Sequence, residues 1–252
     1  MKLYLSGHEY RYAVEQSLLT LFPDQRPEYP DADPSADEDA AWSALQMPHQ
    51  GEENIRASAC IQYQGRTATA LSWCPVTELT GGLVNDRVLQ RLIKQSFYKA
   101  AVQLTGNGLP WGMLTGIRPA KLASRALEAG MSSEEVHTLF LDTYFVSQSR
   151  TELALDAAQA GLTVKRSLKP DEISLYIGIP FCPTRCAYCS FVSADVQKAL
   201  KLVEPYLDGL CQEMAASAAY LRQAGLFIRT IYIGGGTPTT LSAPQLERVL
   251  TQ

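Results

Sequence analysis

Two runs decide most about this fold. "ISLYIGIPF", residues 173–181, and "IRTIYIGGG", residues 228–236, are apolar nearly throughout. That is the pattern of a strand covered on both faces, not of one alternating between core and water. Between them, helical spacing runs from about Pro205 through "YLDGLCQEMAASAAYLRQAG". Past the second run, "TTLSAPQLERVL" opens another helix, with Ser242 and Gln245 as a capping box. Strand, helix, strand, helix requires parallel strands joined by a crossover. Such a βαβα unit cannot cover its own sheet. Either the preceding residues cover it or the sequence is a fragment, and a fragment is the expectation taken here.

The residues before it follow a different grammar. "KLYLSG" alternates as a strand, and "EYRYAVEQSLLTLF" shows helical spacing, with Tyr12, Leu18, Leu19 and Phe22 as the expected buried face. Residues 23–53 hold Pro23, Pro27, Pro30 and Pro34 and the acids Asp31, Asp33, Asp37, Glu38 and Asp39, and read as a mobile acidic loop. "IRASACIQYQGRTATALSWC" carries two alternating runs around "QG", a hairpin signal that leaves Cys60 and Cys74 at its two ends, possible cross-strand neighbours. Helical patterns follow at 84–104, 119–129, 133–144 and 147–163; Gly130 closes one, and Ser132 with Glu135 opens the next. The expected class is α/β: a small N-terminal α+β domain over 1–168, then the first βαβα portion of a larger sheet over 169–252, cut short.

At 252 residues, 46% hydrophobic and 19% charged, the chain has enough apolar content for two cores. A net charge of −4 argues against non-specific nucleic-acid binding, which wants a basic surface. "MKLYLSGHEY" has no signal-peptide pattern, and no apolar run is long enough to span a bilayer. The expected location is the cytoplasm.

There a cysteine cluster means metal or redox chemistry, not disulfides. Cys60, Cys74 and Cys211 stand alone, whereas Cys182, Cys186 and Cys189 form CxxxCxxC just past the first apolar strand. Ligands bind at that edge of a parallel sheet. Thiolates suit zinc, copper(I) and iron–sulfur clusters. Structural zinc wants a fourth ligand, yet His8, His49 and His137 all precede the cluster and Cys211 has no zinc spacing. Three inert core cysteines are the other alternative. A four-iron cube held by three thiolates keeps one iron free for a small molecule. Arg185, inside the loop, either offsets the cube's negative charge or faces solvent. In "IYIGGGTPTTL", one or two glycines suit a tight turn; three followed by Thr-Pro suggest a ligand close to the backbone. No phosphate-loop pattern is present.

"CPTRCAYC" after an apolar strand resembles the radical S-adenosylmethionine (SAM) superfamily. The resemblance implies a partial (β/α) barrel and a [4Fe–4S] cluster on Cys182, Cys186 and Cys189, with SAM on the open iron. It implies further SAM contacts at Tyr176, Tyr188 and the glycine-rich segment Gly235, Gly236 and Thr237. For Tyr176, a plain strand residue is the alternative.

"YIGIPFCPTRCAYCSF" with "GGGTPT" is similar to the oxygen-independent coproporphyrinogen III oxidase group, and "WGMLTGIRPAKLASRALEAG" resembles its coproporphyrinogen dehydrogenase relatives. The group's reaction is oxidative decarboxylation of two propionates of coproporphyrinogen III, giving protoporphyrinogen IX. A tetrapyrrole substrate and a reductant such as flavodoxin or ferredoxin are the implied partners. Arg118 and Lys121 are candidate carboxylate contacts, although Arg118 before Pro119 equally reads as helix-start geometry. Phe191 and Gly178 stand where decarboxylases carry Cys and His. The Phe pattern is shared with relatives thought to carry haem, so a haem chaperone is the alternative. No catalytic residue is assigned.

Overall fold

A computed structural model describes residues 1–30, 38–115, 118–190 and 194–252. Asp31, Asp33, Pro34 and Asp37 of the acidic stretch, Gly116 and Ile117 of the "TGIRP" segment, and Phe191 lie outside the described residues. The chain divides into two compact units, Met1–Lys165 and Arg166–Gln252.

In the first unit, β1 (Lys2–Ser6), α1 (Arg11–Leu21), β2 (Ala40–Gln46), β3 (Asn54–Tyr63), β4 (Arg66–Pro75) and α2 (Gly82–Thr105) form a sheet with helices on one face. The strand order is β1-β2-β3-β4, with β1 and β2 parallel and the other pairs antiparallel. Alternation sets the buried face. Ile55, Ala57, Ala59 and Ile61 of β3 are fully covered, and Leu92, Ile93, Phe97, Ala100 and Ala101 of α2 belong to the same core. The hairpin turns at Gln64 and Gly65, both at positive φ (49° and 72°), the backbone of a two-residue turn that matches strand twist.

Three expectations are corrected here. The 23–53 stretch is not all loop, because 40–46 form β2: "AAWSAL" alternates, and Ala41, Ser43 and Leu45 are buried. On α1, Tyr12 and Leu19 are exposed while Leu18 and Phe22 are buried, because the 3.6-residue period selects Ala13, Val14, Ser17 and Leu18. Cys60 lies opposite Thr69 and Cys74 opposite Ile55, on different faces of the hairpin, so the two cysteines are not cross-strand neighbours.

The remaining helices, α3 (Pro119–Glu128), α4 (Ser133–Thr138) and α5 (Gln148–Ser167), enclose a second core of Ala123, Val136, Phe140, Val146, Ala154, Leu155 and Ala158. Ser132 caps α4: its hydroxyl accepts from Glu135 N–H at 3.1 Å, and Glu135 Oε2 accepts from Ser132 N–H at 2.7 Å. The single helix expected over 133–144 widens into a π turn at Leu139–Thr143, which places Phe140 in the core.

The second unit holds β5 (Glu172–Ile179), β6 (Phe181–Cys182), β7 (Ala194–Asp195), α6 (Val196–Ala224), β8 (Phe227–Gly235) and α7 (Ala243–Leu250). β5 and β8 are parallel, with Tyr176 beside Tyr232 and Ile179 beside Gly235. This mixed α/β architecture, an α+β region followed by a parallel βαβα unit, is the expected class. The α6 helix starts about two and a half turns earlier than residue 205 would suggest, so Pro205 sits inside it rather than at its first turn. An interior proline costs about 3 kcal/mol, but Val203, Tyr206 and Leu207 around it pack on Ile177, Ile179 and Phe181, and that burial carries the helix through. Cover on both faces of the strands is not seen. Ile177 and Ile179 are buried, whereas Tyr176 and Tyr232 on the other face are 59% and 67% exposed.

Candidate functional site

The candidate site is the edge where β5 and β8 end. Beyond β5 the chain turns at Pro180 into β6, which carries Cys182 and pairs with β7 through Phe181 opposite Ala194 and Cys182 opposite Asp195. Beyond β8 the glycines come level with this turn. Gly236 N–H donates to Ile179 O at 2.7 Å, and Thr237 N–H donates to Phe181 O at 2.7 Å. The Thr237 hydroxyl lies 3.5 Å from Cys182 Sγ and donates to it. The first cysteine and the glycine-rich segment, read from separate motifs, are therefore fastened together.

Each glycine has a reason visible in the chain. Gly235 has φ +103°, and a Cβ there would stand 2.9 Å from Ile179 O. A Cβ on Gly236 would meet Phe181 O at 2.6 Å and Cys182 Sγ at 2.9 Å. On the open face, a Cβ on Gly234 would meet the Tyr232 ring at 2.6 Å and the Tyr176 hydroxyl at 3.0 Å. Those two rings stack with centroids 5.7 Å apart, so Tyr176 and Tyr232 form an aromatic surface over the glycines. Tyr206 of α6 donates to Gly178 O from inside the sheet, and its ring meets Phe181 edge-on at 5.4 Å. Burial, with Glu213 and Tyr176 nearby, raises the Tyr206 phenol.

The other two cysteines follow in turns. Cys189 N–H donates to Cys186 O at 3.1 Å, closing one turn of the loop. Cys186 is exposed, whereas Cys182 and Cys189 are half-buried. Tyr188 is 90% exposed, and its phenol is raised chiefly by its hydrogen bond to Cys186. Among the described residues, no three His, Cys, Asp or Glu side chains converge as a metal-holding group. The loop thus holds Cys182 against Thr237 and leaves Cys186, Tyr188 and Arg185 out in solvent. By donor chemistry the set suits an iron–sulfur cluster: three thiols outside any disulfide, two of them on an accessible turn.

Two features were missed from sequence. Thr237, a SAM contact by resemblance, also touches Cys182, a pairing invisible without the strand register. Arg118 and Lys121, the candidate carboxylate contacts, are exposed; Arg118 is the N-cap of α3, with Pro119 at the first helical position. The cations lining a cavity in that region are others, spaced along α2, and counting charge by helical period would have found them.

No family model matches the chain. It is 39% identical over 145 residues to the oxygen-independent coproporphyrinogen-III oxidase-like protein HemZ of Bacillus subtilis, which is 57% of this chain and 29% of that one. It is 46% identical over 77 residues to the heme chaperone HemW of Bacillus subtilis, covering 31% of this chain and 19% of that one. It is 32% identical over 88 residues to the anaerobilin synthase of Escherichia coli O157:H7, covering 35% of this chain and 19% of that one. The chain therefore spans under a third of the length of these relatives. No helix among the described residues is long and apolar enough to cross a membrane.

Proposed function

We propose that the chain is a radical SAM protein, as its motifs imply, and that it forms the cluster-bearing part of a protein acting on a tetrapyrrole. Cys182, Cys186 and Cys189 would hold a [4Fe–4S] cluster, and Tyr176, Tyr188, Gly235, Gly236 and Thr237 would line the place of SAM. Cluster and SAM together supply, when bound, a carbon radical able to abstract a hydrogen atom. What supports the reading is the fastening of Thr237 to Phe181 and Cys182, which joins the two motifs at one sheet edge.

The chain's own contribution is positional. β5 and β8 deliver the cysteine loop and the glycine edge to the same height, and the bare glycine backbone lets the two pack directly on each other. The Thr237 hydroxyl stabilises a thiolate at Cys182 by donating to it. The Tyr176–Tyr232 surface offers a flat apolar wall.

The reaction proposed is oxygen-independent oxidative decarboxylation of coproporphyrinogen III to protoporphyrinogen IX. Each of two propionates would lose carbon dioxide, one hydrogen atom to the SAM-derived carbon radical and one electron to an external one-electron acceptor, to leave a vinyl group. A cytoplasmic reductant such as flavodoxin or ferredoxin would feed the cluster. A second reading is a haem chaperone that binds haem without decarboxylating anything. It draws on the 46% identity to HemW and on Phe191 and Gly178, which stand where decarboxylases carry Cys and His.

Anaerobic incubation of the reconstituted protein with coproporphyrinogen III, SAM and reductant separates the two. Product of one or two decarboxylations, seen by mass spectrometry, upholds the enzyme. Stoichiometric haem retention with no mass loss from coproporphyrinogen overturns it in favour of the carrier.

A further inference from the structure

The N-terminal unit holds a cavity of about 460 Å³ that the proposed reaction does not use. Arg87, Arg91 and Lys94 recur at three- and four-residue intervals on α2 and so share one helical stripe. Arg125 of α3 lines the same cavity, with Thr115 and Tyr144.

This is an unfavourable collection of charge. Among the described residues, the lining contains no carboxylate. Glu78 reaches Arg91 from outside the lining, offsetting one of the cations. Lys94 donates at 3.0 Å to the Thr115 hydroxyl, a neutral partner, and burial lowers its pKa. Arg91 Nε is buried with no hydrogen-bond partner, a donor whose desolvation is uncompensated. Burial also raises the Tyr144 phenol and so keeps it a neutral donor. Like charges along a stripe repel, and a lysine buried against a hydroxyl has lost solvation without gaining an ion pair. A ligand carrying negative oxygen would reverse each of these costs. The volume falls in the range of small-molecule sites.

We propose that this cavity is a binding site for a small polyanion, held by Arg87, Arg91, Lys94 and Arg125. Two sources fit the chemistry: the propionate edge of a tetrapyrrole, or a free polycarboxylate or phosphate. The site lies within the first unit, and its existence does not depend on the cluster.

Calorimetric titration of the protein with tricarballylate and with inorganic phosphate tests it. The expected result is saturable binding of tricarballylate that phosphate competes away. Lys94→Met keeps the aliphatic stem and should weaken it about tenfold, as loss of a charge-assisted hydrogen bond does. Arg125→Gln is on an exposed position that tolerates change and should weaken it severalfold. Arg66→Gln, an equal charge change in the hairpin, should leave it unaltered. Circular dichroism checks that each variant folds; if Lys94→Met does not, Arg125→Gln decides. Competition by coproporphyrin III would make the tetrapyrrole edge the source, and its failure would leave the free polyanion; either upholds the site. The proposal is overturned if neither anion binds saturably. It also falls if Arg125→Gln leaves affinity unchanged, or if Arg66→Gln lowers it as much.

Discussion

Single atoms decide much at the sheet edge. A methyl on Gly236 would press on backbone oxygen and on the Cys182 sulfur, whereas one on Gly234 would meet the ends of tyrosine rings that can swing away. Gly236→Ala is therefore expected to destabilise the second unit by about 1–3 kcal/mol and to cut iron retention, with Gly234→Ala much milder on both. Urea unfolding and iron analysis of the two variants check the ranking.

His8 offers a titration in the first unit, away from the cysteines in sequence. Its Nδ1 accepts from Tyr10 N–H at 3.2 Å, so the neutral ring carries its proton on Nε2, 3.0 Å from the Ser43 hydroxyl. Burial lowers its pKa below the ordinary 6.5. A depressed folded pKa means that the unfolded chain takes up the proton first as pH falls. The stability is complete above the unfolded value and is lost as pH drops through the folded one. Urea midpoints at about pH 7.5 and about pH 5.5 should show the fall, and His8→Gln should flatten it.

At the scale of elements, short-range chemistry was legible and competition between ranges was not. Gln64-Gly65 turned where two positive φ values were needed, and both capping boxes formed from Ser–x–x–Glu/Gln spacing alone. Ser132→Ala should cost about 1 kcal/mol, seen as a lower thermal midpoint. β2 was hidden because prolines and acids before it signal loop, while its reason to be a strand lies in pairing with β1 and β3. Pro205 likewise signals a helix start, and only the packing of Val203 and Leu207 on β5 and β6 reveals that α6 continues through it.

Across the whole chain, the cysteine loop stands out in the sequence because thiols at close spacing need no fold to be noticed. The cationic cavity was legible only in part: the stripe of Arg87, Arg91 and Lys94 can be counted along α2, but Lys94 and Arg125 become neighbours only when α2 and α3 pack. The two units carry separate propositions, an anion site in the first and a cluster site in the second, and each can fail alone. The cluster is the more consequential, and electron paramagnetic resonance of the anaerobically reconstituted, reduced protein tests it most directly. The expectation is iron and sulfide at about four each per chain, a reduced-cubane spectrum that changes on adding SAM, and loss of that spectrum in Cys182→Ala, Cys186→Ala and Cys189→Ala. A protein that takes up no cluster, or whose cluster spectrum is indifferent to SAM, would contradict it.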